Sequence, residues 1–152
     1  MNTPTTPQAA LVTDFLNAMC QWEIYMEKRD KQLDEEISDD MDEEEEEELD
    51  MQAEEEMRAK LRTIFDQYLH PSVLETKWVD RLLSLSYSIP PEFRDFQILD
   101  VQERRIKSEV IVKLNNGFQS ILKYCIRKVD DVFKIEGVYW KTYDGKWKKN
   151  YF

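Results

Sequence analysis

Residues 106–118 read IKSEVIVKLNNGF, and they predict the first half of a β-hairpin. Apolar and charged residues alternate in this stretch, which is the pattern of a half-buried strand. The apolar positions are Ile106, Val110, Val112 and Leu114. Asn115-Asn116-Gly117 follow, and these residue types tolerate the positive φ of a tight type I′ turn. The partner strand is then predicted over Phe118–Val129, where Phe118, Leu122, Tyr124 and Ile126 keep one parity.

Two further turns extend the hairpin into a meander. Asp130-Asp131 precedes a third strand, whose apolar positions change parity at Gly137. A glycine inside a strand usually marks a bulge, so we expect the sheet to bend there. Asp144-Gly145 then turns the chain into a last short strand around Trp147. The region from Phe96 to the C-terminus is therefore predicted to form a bent antiparallel sheet of about four strands.

Three helices are predicted before this sheet. Thr6-Pro7 is a typical helix start, and apolar residues at spacings of three and four predict a helix over about 7–33. A second helix is predicted over about 52–69, and a third runs from Pro71 to the Ile89-Pro90-Pro91 break. The apolar stripes should pack into the concave face of the sheet. The residues expected in the core include Trp22, Phe65, Trp78 and Leu82.

The acidic residues are concentrated in one segment. Residues 1–70 carry 21 acidic and 6 basic residues, a net charge of −15, whereas residues 71–152 carry 11 and 15, a net charge of +4. Asp34–Glu56 contains most of the excess, including an unbroken Glu43–Glu48. Repulsion between carboxylates and the shortage of apolar residues predict a mobile segment or a frayed helical extension. It could be a solvated linker or a contact for a basic partner. An EF-hand is excluded, because the ligand spacing and the glycine of that loop are missing.

Length and composition define the broad class. A chain of 152 residues with 41% apolar residues is expected to form one domain over 1–152. The net charge of −11 argues against nucleic acid and anionic membranes as partners. Cys20 and Cys125 belong to no ligand-spaced motif, and we expect two buried free thiols. Without a targeting segment or a long apolar run, a cytoplasmic protein is expected. The oligomeric state is left open.

The residues that could support catalysis do not form a recognisable set. Asp100, His70, Tyr87 and Tyr124 are isolated in the sequence. His70 precedes a proline at a predicted helix end, where a capping or surface role is typical. No phosphate-binding loop, nucleophile elbow, paired carboxylates or metal-spaced His/Cys set is found. The sequence therefore argues against an enzyme, and no cofactor or metal is predicted.

The order of elements, a long helix, two shorter helices and a bent sheet, resembles the nuclear transport factor 2-like (cystatin-like) α+β cone. The run from Val110 to Phe118, the strand Val132–Val138 and Asp144-Gly145-Lys146-Trp147 resemble, more narrowly, the immunity proteins of that fold encoded beside bacterial polymorphic toxins. The acid-rich segment 34–56 departs from this pattern. The resemblance implies a protein that neutralises a cognate toxin by binding it. The same fold also hosts enzymes such as ketosteroid isomerase, and a general docking adaptor could use it too.

The predicted function is therefore binding of a cognate toxin that has a basic active-site or substrate surface. A folded acidic protein can cover such a surface and associate with it rapidly. A small-molecule enzyme or a general protein-docking adaptor of the same fold is the alternative. The predicted acidic contacts are Asp39, Asp40, Asp42, Glu43, Glu44, Glu45, Glu46, Glu47 and Glu48. The predicted aromatic anchors are Tyr139, Tyr143, Trp147 and Tyr151; Trp147 and Tyr151 could instead close the open end of the core.

Overall fold

The computed structural model describes residues 6–75, 93–115 and 119–150. Three helices come first in this part of the chain, and five strands follow. The helices are α1 (Pro7–Glu36), α2 (Glu43–Tyr68) and α3 (Pro71–Leu74). The strands are β1 (Phe96–Gln102), β2 (Lys107–Leu114), β3 (Ile121–Val129), β4 (Val132–Lys141) and β5 (Trp147–Asn150). The strands form one antiparallel sheet in the order β1-β2-β3-β4-β5.

The α+β class is confirmed, but the sheet has five strands rather than about four. The additional strand is β1, which pairs with β2 along the edge of the sheet. Its register shifts between Ile98 and Asp100, so Leu99 is an extra residue in the ladder. This bulge interrupts the period of two that reveals a strand in a sequence. Apolar and polar residues therefore do not alternate regularly along β1, and the sequence pattern does not indicate a strand there.

The central hairpin follows its sequence pattern closely. Every second residue of β2, and of β3 as far as Ile126, is buried, and these residues include Val110, Val112, Leu114, Leu122, Tyr124 and Ile126. Two details differ from the prediction. Ile106 lies before β2 and is exposed. The first buried residue of β2 is Ser108, which accepts a 3.2 Å hydrogen bond from the Gln8 side chain. The partner strand begins at Ile121 rather than Phe118.

The bulge predicted at Gly137 is confirmed. Cys125 pairs with Gly137 and Ile126 with Ile135, so Glu136 is the extra residue of β4. The turn at Asp130 and Asp131 is also confirmed, because both residues have positive φ, 52° and 64°. Gly145, with a φ of 86°, makes the turn before β5. The predicted turn at Asn115-Asn116-Gly117 lies in part outside the described residues.

The first helix is close to its prediction. Thr6 caps it by accepting a 3.1 Å hydrogen bond from the Ala9 N–H, and Pro7 is its first residue. The helix ends at Glu36, a few residues later than expected. Its apolar stripe is buried against the sheet and α2, as predicted. Its buried apolar residues are Ala9, Val12, Phe15, Leu16, Met19, Cys20 and Trp22.

The second helix corrects the prediction for the acidic segment. It begins at Glu43 rather than about Gln52, so Glu43–Glu48 is helical. Asp42 caps it, with its side chain accepting a 2.9 Å hydrogen bond from the Glu45 N–H. Glutamates in the first turn also interact favourably with the positive end of the helix dipole. These local terms offset the repulsion that favoured a break. The mobility of 34–56 stays a prediction.

The third helix is described only over α3. His70 caps it, because the His70 Nδ1 accepts a 3.1 Å hydrogen bond from the Ser72 N–H. This agrees with the capping role expected for that residue. Trp78, Leu82 and Tyr87 lie outside the described residues.

The core lies between the helices and one face of the sheet. Phe65 of α2 and Trp22 of α1 are buried there, as predicted. Cys20 is buried on the same side, whereas Cys125 is only half-buried and alternates with the core residues of β3. Both thiols are free, but the expectation of two buried thiols is therefore wrong for Cys125. The helices leave the opposite face of the sheet without a described covering element, and we call this the outer face.

Candidate functional site

The acidic residues lie at the end of a helical hairpin. We call residues 34–56 the acidic arm; it comprises the end of α1, the connection and the start of α2. The last buried residue of α1 is Glu23, and Met26 still packs against the core, so the ten residues from Glu27 to Glu36 extend beyond it. At a rise of 1.5 Å per residue they span about 15 Å. On α2, burial begins at Ala53. The arm therefore projects from the body of the protein.

A cluster around Arg29 holds the two helices of the hairpin together. The Arg29 Nε donates to Glu56 at 2.9 Å, and its Nη1 is 3.7 Å from a carboxylate oxygen of Glu36. The hydrogen bond to Glu56 raises the pKa of the Arg29 guanidinium. Nearby, the Trp22 indole N–H donates to the Met57 carbonyl at 3.3 Å. These contacts fix the base of the arm relative to the core.

The predicted acidic contacts are all on this arm. Asp39 and Asp40 lie in the connection, Asp42 is the cap of α2, and Glu43–Glu48 form its first turns. All are exposed except Glu46, which is partly buried. The arm carries sixteen acidic residues and no lysine or arginine. It is a highly negative surface.

The predicted aromatic anchors lie elsewhere. Tyr139 and Trp147 are half-buried on the outer face, and Tyr143 is fully exposed in the turn before β5. Tyr151 lies outside the described residues. On β4, Trp140 lies on the core parity and the next residue, Lys141, lies on the outer face. Trp147 pairs with Lys141, so it also lies on the outer face and does not close the core. That alternative is wrong for Trp147.

Two lysines surround the aromatic residues on the outer face. Lys123, Tyr139 and Lys149 are directly opposite one another on β3, β4 and β5. The Lys123 ammonium is 5.2 Å from the ring centre of Tyr139 and 4.9 Å from that of Trp147. The Lys149 ammonium is 5.1 Å from the Tyr139 ring centre. We call these four residues the lysine–aromatic cluster. The sequence prediction includes the aromatic members of this cluster but not the two lysines. The signal for Lys149 is its spacing of two residues from Trp147, which puts both on one face of a strand.

A shallow depression of about 320 Å³ adjoins this cluster. Gly137 and Cys125 lie in it, and Glu136 at its rim pairs with Lys107 at 3.6 Å and Arg127 at 4.0 Å. A Cβ at Gly137 would be 2.8 Å from the Lys149 ammonium, so glycine leaves room for that group. Burial raises the pKa of the Cys125 thiol. The thiol is therefore less nucleophilic at neutral pH than a free one.

The structure does not bring the acidic arm and the lysine–aromatic cluster together. The end of α2 meets the sheet where Leu69 bridges to Ile135 of β4. Glu48 is twenty residues from Tyr68, or about 30 Å along the helix axis. The two predicted sets of contacts therefore form two separate surfaces of opposite charge.

The candidate catalytic residues do not converge either. Asp100 is exposed on β1, and His70 serves as a cap. Tyr124 is buried in the core, where its ring makes an edge-to-face contact with Phe15 at 6.1 Å. Within the described ranges, no group of three or more His, Cys, Asp or Glu side chains has a metal-binding arrangement. None of the helices described there has the length and apolar character needed to cross a bilayer.

Two long helices packed on one face of a bent, five-stranded antiparallel sheet define an α+β protein of the NTF2-like class. The chain belongs to the family described as Imm-NTF2, NTF2 fold immunity protein, which it matches over residues 7–151. Immunity proteins act in toxin systems, so the family implies a toxin as partner and a role other than catalysis. No curated protein and no solved structure is significantly similar to this chain.

Proposed function

We propose that this immunity protein neutralises its cognate toxin by direct, stoichiometric binding, and that the acidic arm covers a basic active-site or substrate surface of the toxin. The observation that carries the proposal is the arm itself, with sixteen carboxylates and no basic side chain. A surface of this kind attracts a basic partner over long range and accelerates encounter. The attraction is screened within about 8 Å at physiological ionic strength.

The helical conformation of the arm supports more than a steering role. A disordered polyanion loses conformational entropy when it binds, whereas a capped helix has already lost most of it. The Asp42 cap and the Arg29–Glu56 pair favour the helical conformation of the arm in the free protein. Exposed Met51 on α2 adds an apolar side chain among the carboxylates. The arm can therefore provide both electrostatic attraction and a defined contact surface.

The aromatic side chains are proposed to add to the durable contact. Tyr143 is fully exposed and Trp147 is partly exposed on the outer face. Aromatic side chains contribute strongly to binding energy when an interface buries them. Because this surface is basic, it would meet a different part of the toxin from the arm.

The test uses the toxin encoded beside this protein and measures association and dissociation rates at low and high salt. Replacing Glu43–Glu48 with Gln should slow association about tenfold or more at low salt, with a smaller effect at high salt. Replacing Tyr143 and Trp147 with Ala should mainly accelerate dissociation. Asp130→Asn with Asp131→Asn is the charge control, since Asn also tolerates positive φ.

Three results would contradict the proposal. If the Gln replacements leave the low-salt association rate unchanged, the arm does not steer binding. If the neighbouring toxin does not bind at all, neutralisation by direct binding is wrong. A slow association in the Asp130 and Asp131 control as well would mean that net charge, not the arm, controls the rate.

A further inference from the structure

We propose that the lysine–aromatic cluster on the outer face is a docking site for the acidic arm of a second copy of this chain. The protein would then associate with itself through an arm-to-sheet contact. This inference does not depend on the toxin, because both surfaces belong to the same molecule.

The first observation is that the two lysines of the cluster have no carboxylate partner among residues 6–75, 93–115 and 119–150. The neighbouring Lys107 and Arg127 both pair with Glu136. Lys123 and Lys149 make only cation–π contacts there, with Tyr139 and Trp147. Such a contact leaves the N–H donors of the ammonium available for an anion. The cluster is thus a pair of positioned cations open to carboxylates.

The second observation is a match of spacing. Lys123 and Lys149 are two strands apart, with Tyr139 between them, which places their backbones about 10 Å apart. On α2, Glu48 and Glu55 are separated by two helical turns, also about 10 Å. They share one helix face. Because lysine side chains are long and flexible, the two carboxylates could therefore meet the two lysines at the same time.

The third observation concerns the residue between the two carboxylates. Met51 is three residues after Glu48 and four before Glu55, so it lies on the same face of α2, and its side chain is 62% exposed. Docking of the two charge pairs would place it opposite Tyr139. A methionine sulfur makes favourable contacts with an aromatic ring. The sequence Glu-Met-Glu on the helix thus complements Lys-Tyr-Lys across the sheet.

The arm cannot reach the outer face of its own sheet. It is held to α1 by the Arg29–Glu56 pair, and the far end of α2 is fixed to β4 by the Leu69–Ile135 bridge. The helices lie on the opposite side of the sheet from the cluster. A second copy must therefore supply the arm. A single arm-to-face contact joins two different surfaces; two such contacts made reciprocally form an isologous interface and close a two-fold dimer.

The experiment measures the mass of the full-length protein by sedimentation velocity, at about 20 mM and about 500 mM salt, conditions that change screening several-fold. The wild-type protein should associate at low salt and dissociate at high salt. A face variant, Lys123→Glu with Lys149→Glu, and an arm variant, Glu48→Lys with Glu55→Lys, should each weaken association at least tenfold. Lys28→Glu with Lys148→Glu is the control for net charge, because both lysines are exposed and Lys148 lies on the opposite parity of β5 from Lys149.

Mixing the two charge-reversed variants gives the decisive result. Wild-type arm then meets wild-type face, and reversed arm meets reversed face, so association should return to near the wild-type level. A mixture that remains monomeric overturns the proposal, as does a wild-type protein that is monomeric at both salt concentrations. A mass increase that nuclease treatment abolishes would mean that the outer face binds nucleic acid instead.

Discussion

Phe15 should be among the side chains most important for stability. It is 2% exposed in α1, and its ring makes edge-to-face contacts with Tyr68 of α2 at 6.0 Å and Tyr124 of β3 at 6.1 Å. Phe15→Ala should lower the free energy of unfolding by about 3–5 kcal/mol, because it leaves a cavity where three elements meet. Phe15→Leu retains most of the volume. It loses two aromatic contacts of about 0.5–1.5 kcal/mol each, so we expect about 1–3 kcal/mol.

Urea unfolding, followed by circular dichroism, measures these changes. The slope of the free energy against urea should stay constant, since the surface exposed on unfolding is unchanged. Tyr143→Ala removes a fully exposed aromatic ring and should cost less than about 0.5 kcal/mol. A loss below about 1 kcal/mol for Phe15→Ala would refute the packing of α1 against the sheet. Equal losses for Phe15→Leu and Phe15→Ala would mean that the aromatic contacts, rather than volume, stabilise this site.

Three further results are expected. Asp42→Ala should lower the free energy of unfolding by about 1 kcal/mol and reduce helical circular dichroism, whereas Asp42→Asn should retain the cap; equal effects would exclude capping. In a Cys20→Ser background, Cys125 should react with iodoacetamide more slowly in native than in unfolded protein at pH 8, because burial raises the pKa of its thiol. The difference between the two rates should shrink as the pH rises. Amide exchange should be faster in 34–56 than in 61–68, and equal protection would mean that the arm is as stable as the core.

The sheet was predictable wherever alternation and turn chemistry agreed. In β2 and β3 the buried residues are those of one parity, and Asp130-Asp131 supplies the positive φ values that a two-residue turn needs. The Gly137 bulge was predictable too, because the apolar parity changes there. β1 was not, since its own bulge at Leu99 removes the alternation from a strand of only seven residues. A bulge is therefore visible only in a strand long enough to show both parities.

Composition and local signals point in different directions at the start of α2. Six consecutive glutamates predict repulsion, but Asp42 and the first-turn carboxylates are also a typical helix start. Leu49, Ala53 and Met57 continue the apolar stripe of α2 at a spacing of four, and Ala53 is fully buried. That stripe was present in the sequence. It predicts a helix that reaches well into the acidic segment.

The relation between the two candidate surfaces could not be obtained from the sequence. Nothing in the spacing of Glu43–Glu48 and Trp147 indicates that they lie on separate surfaces. Their separation depends on where α2 meets the sheet, which the Leu69–Ile135 bridge fixes. The role of the lysines depends equally on register, since only the pairing of β3, β4 and β5 places Lys123 and Lys149 on either side of Tyr139.

The distribution of charge changes what the net charge implies. A total of −11 argues against anionic partners only if the charge is spread evenly over the surface. Here the carboxylates are concentrated on an arm that extends about 15 Å beyond the core residues of α1, about two Debye lengths at physiological salt. The helices that carry the arm pack on the opposite face of the sheet from Lys123 and Lys149. The outer face can therefore attract carboxylates although the protein as a whole is acidic. Salt should weaken this attraction, and it should equally weaken the attraction between the arm and a basic toxin.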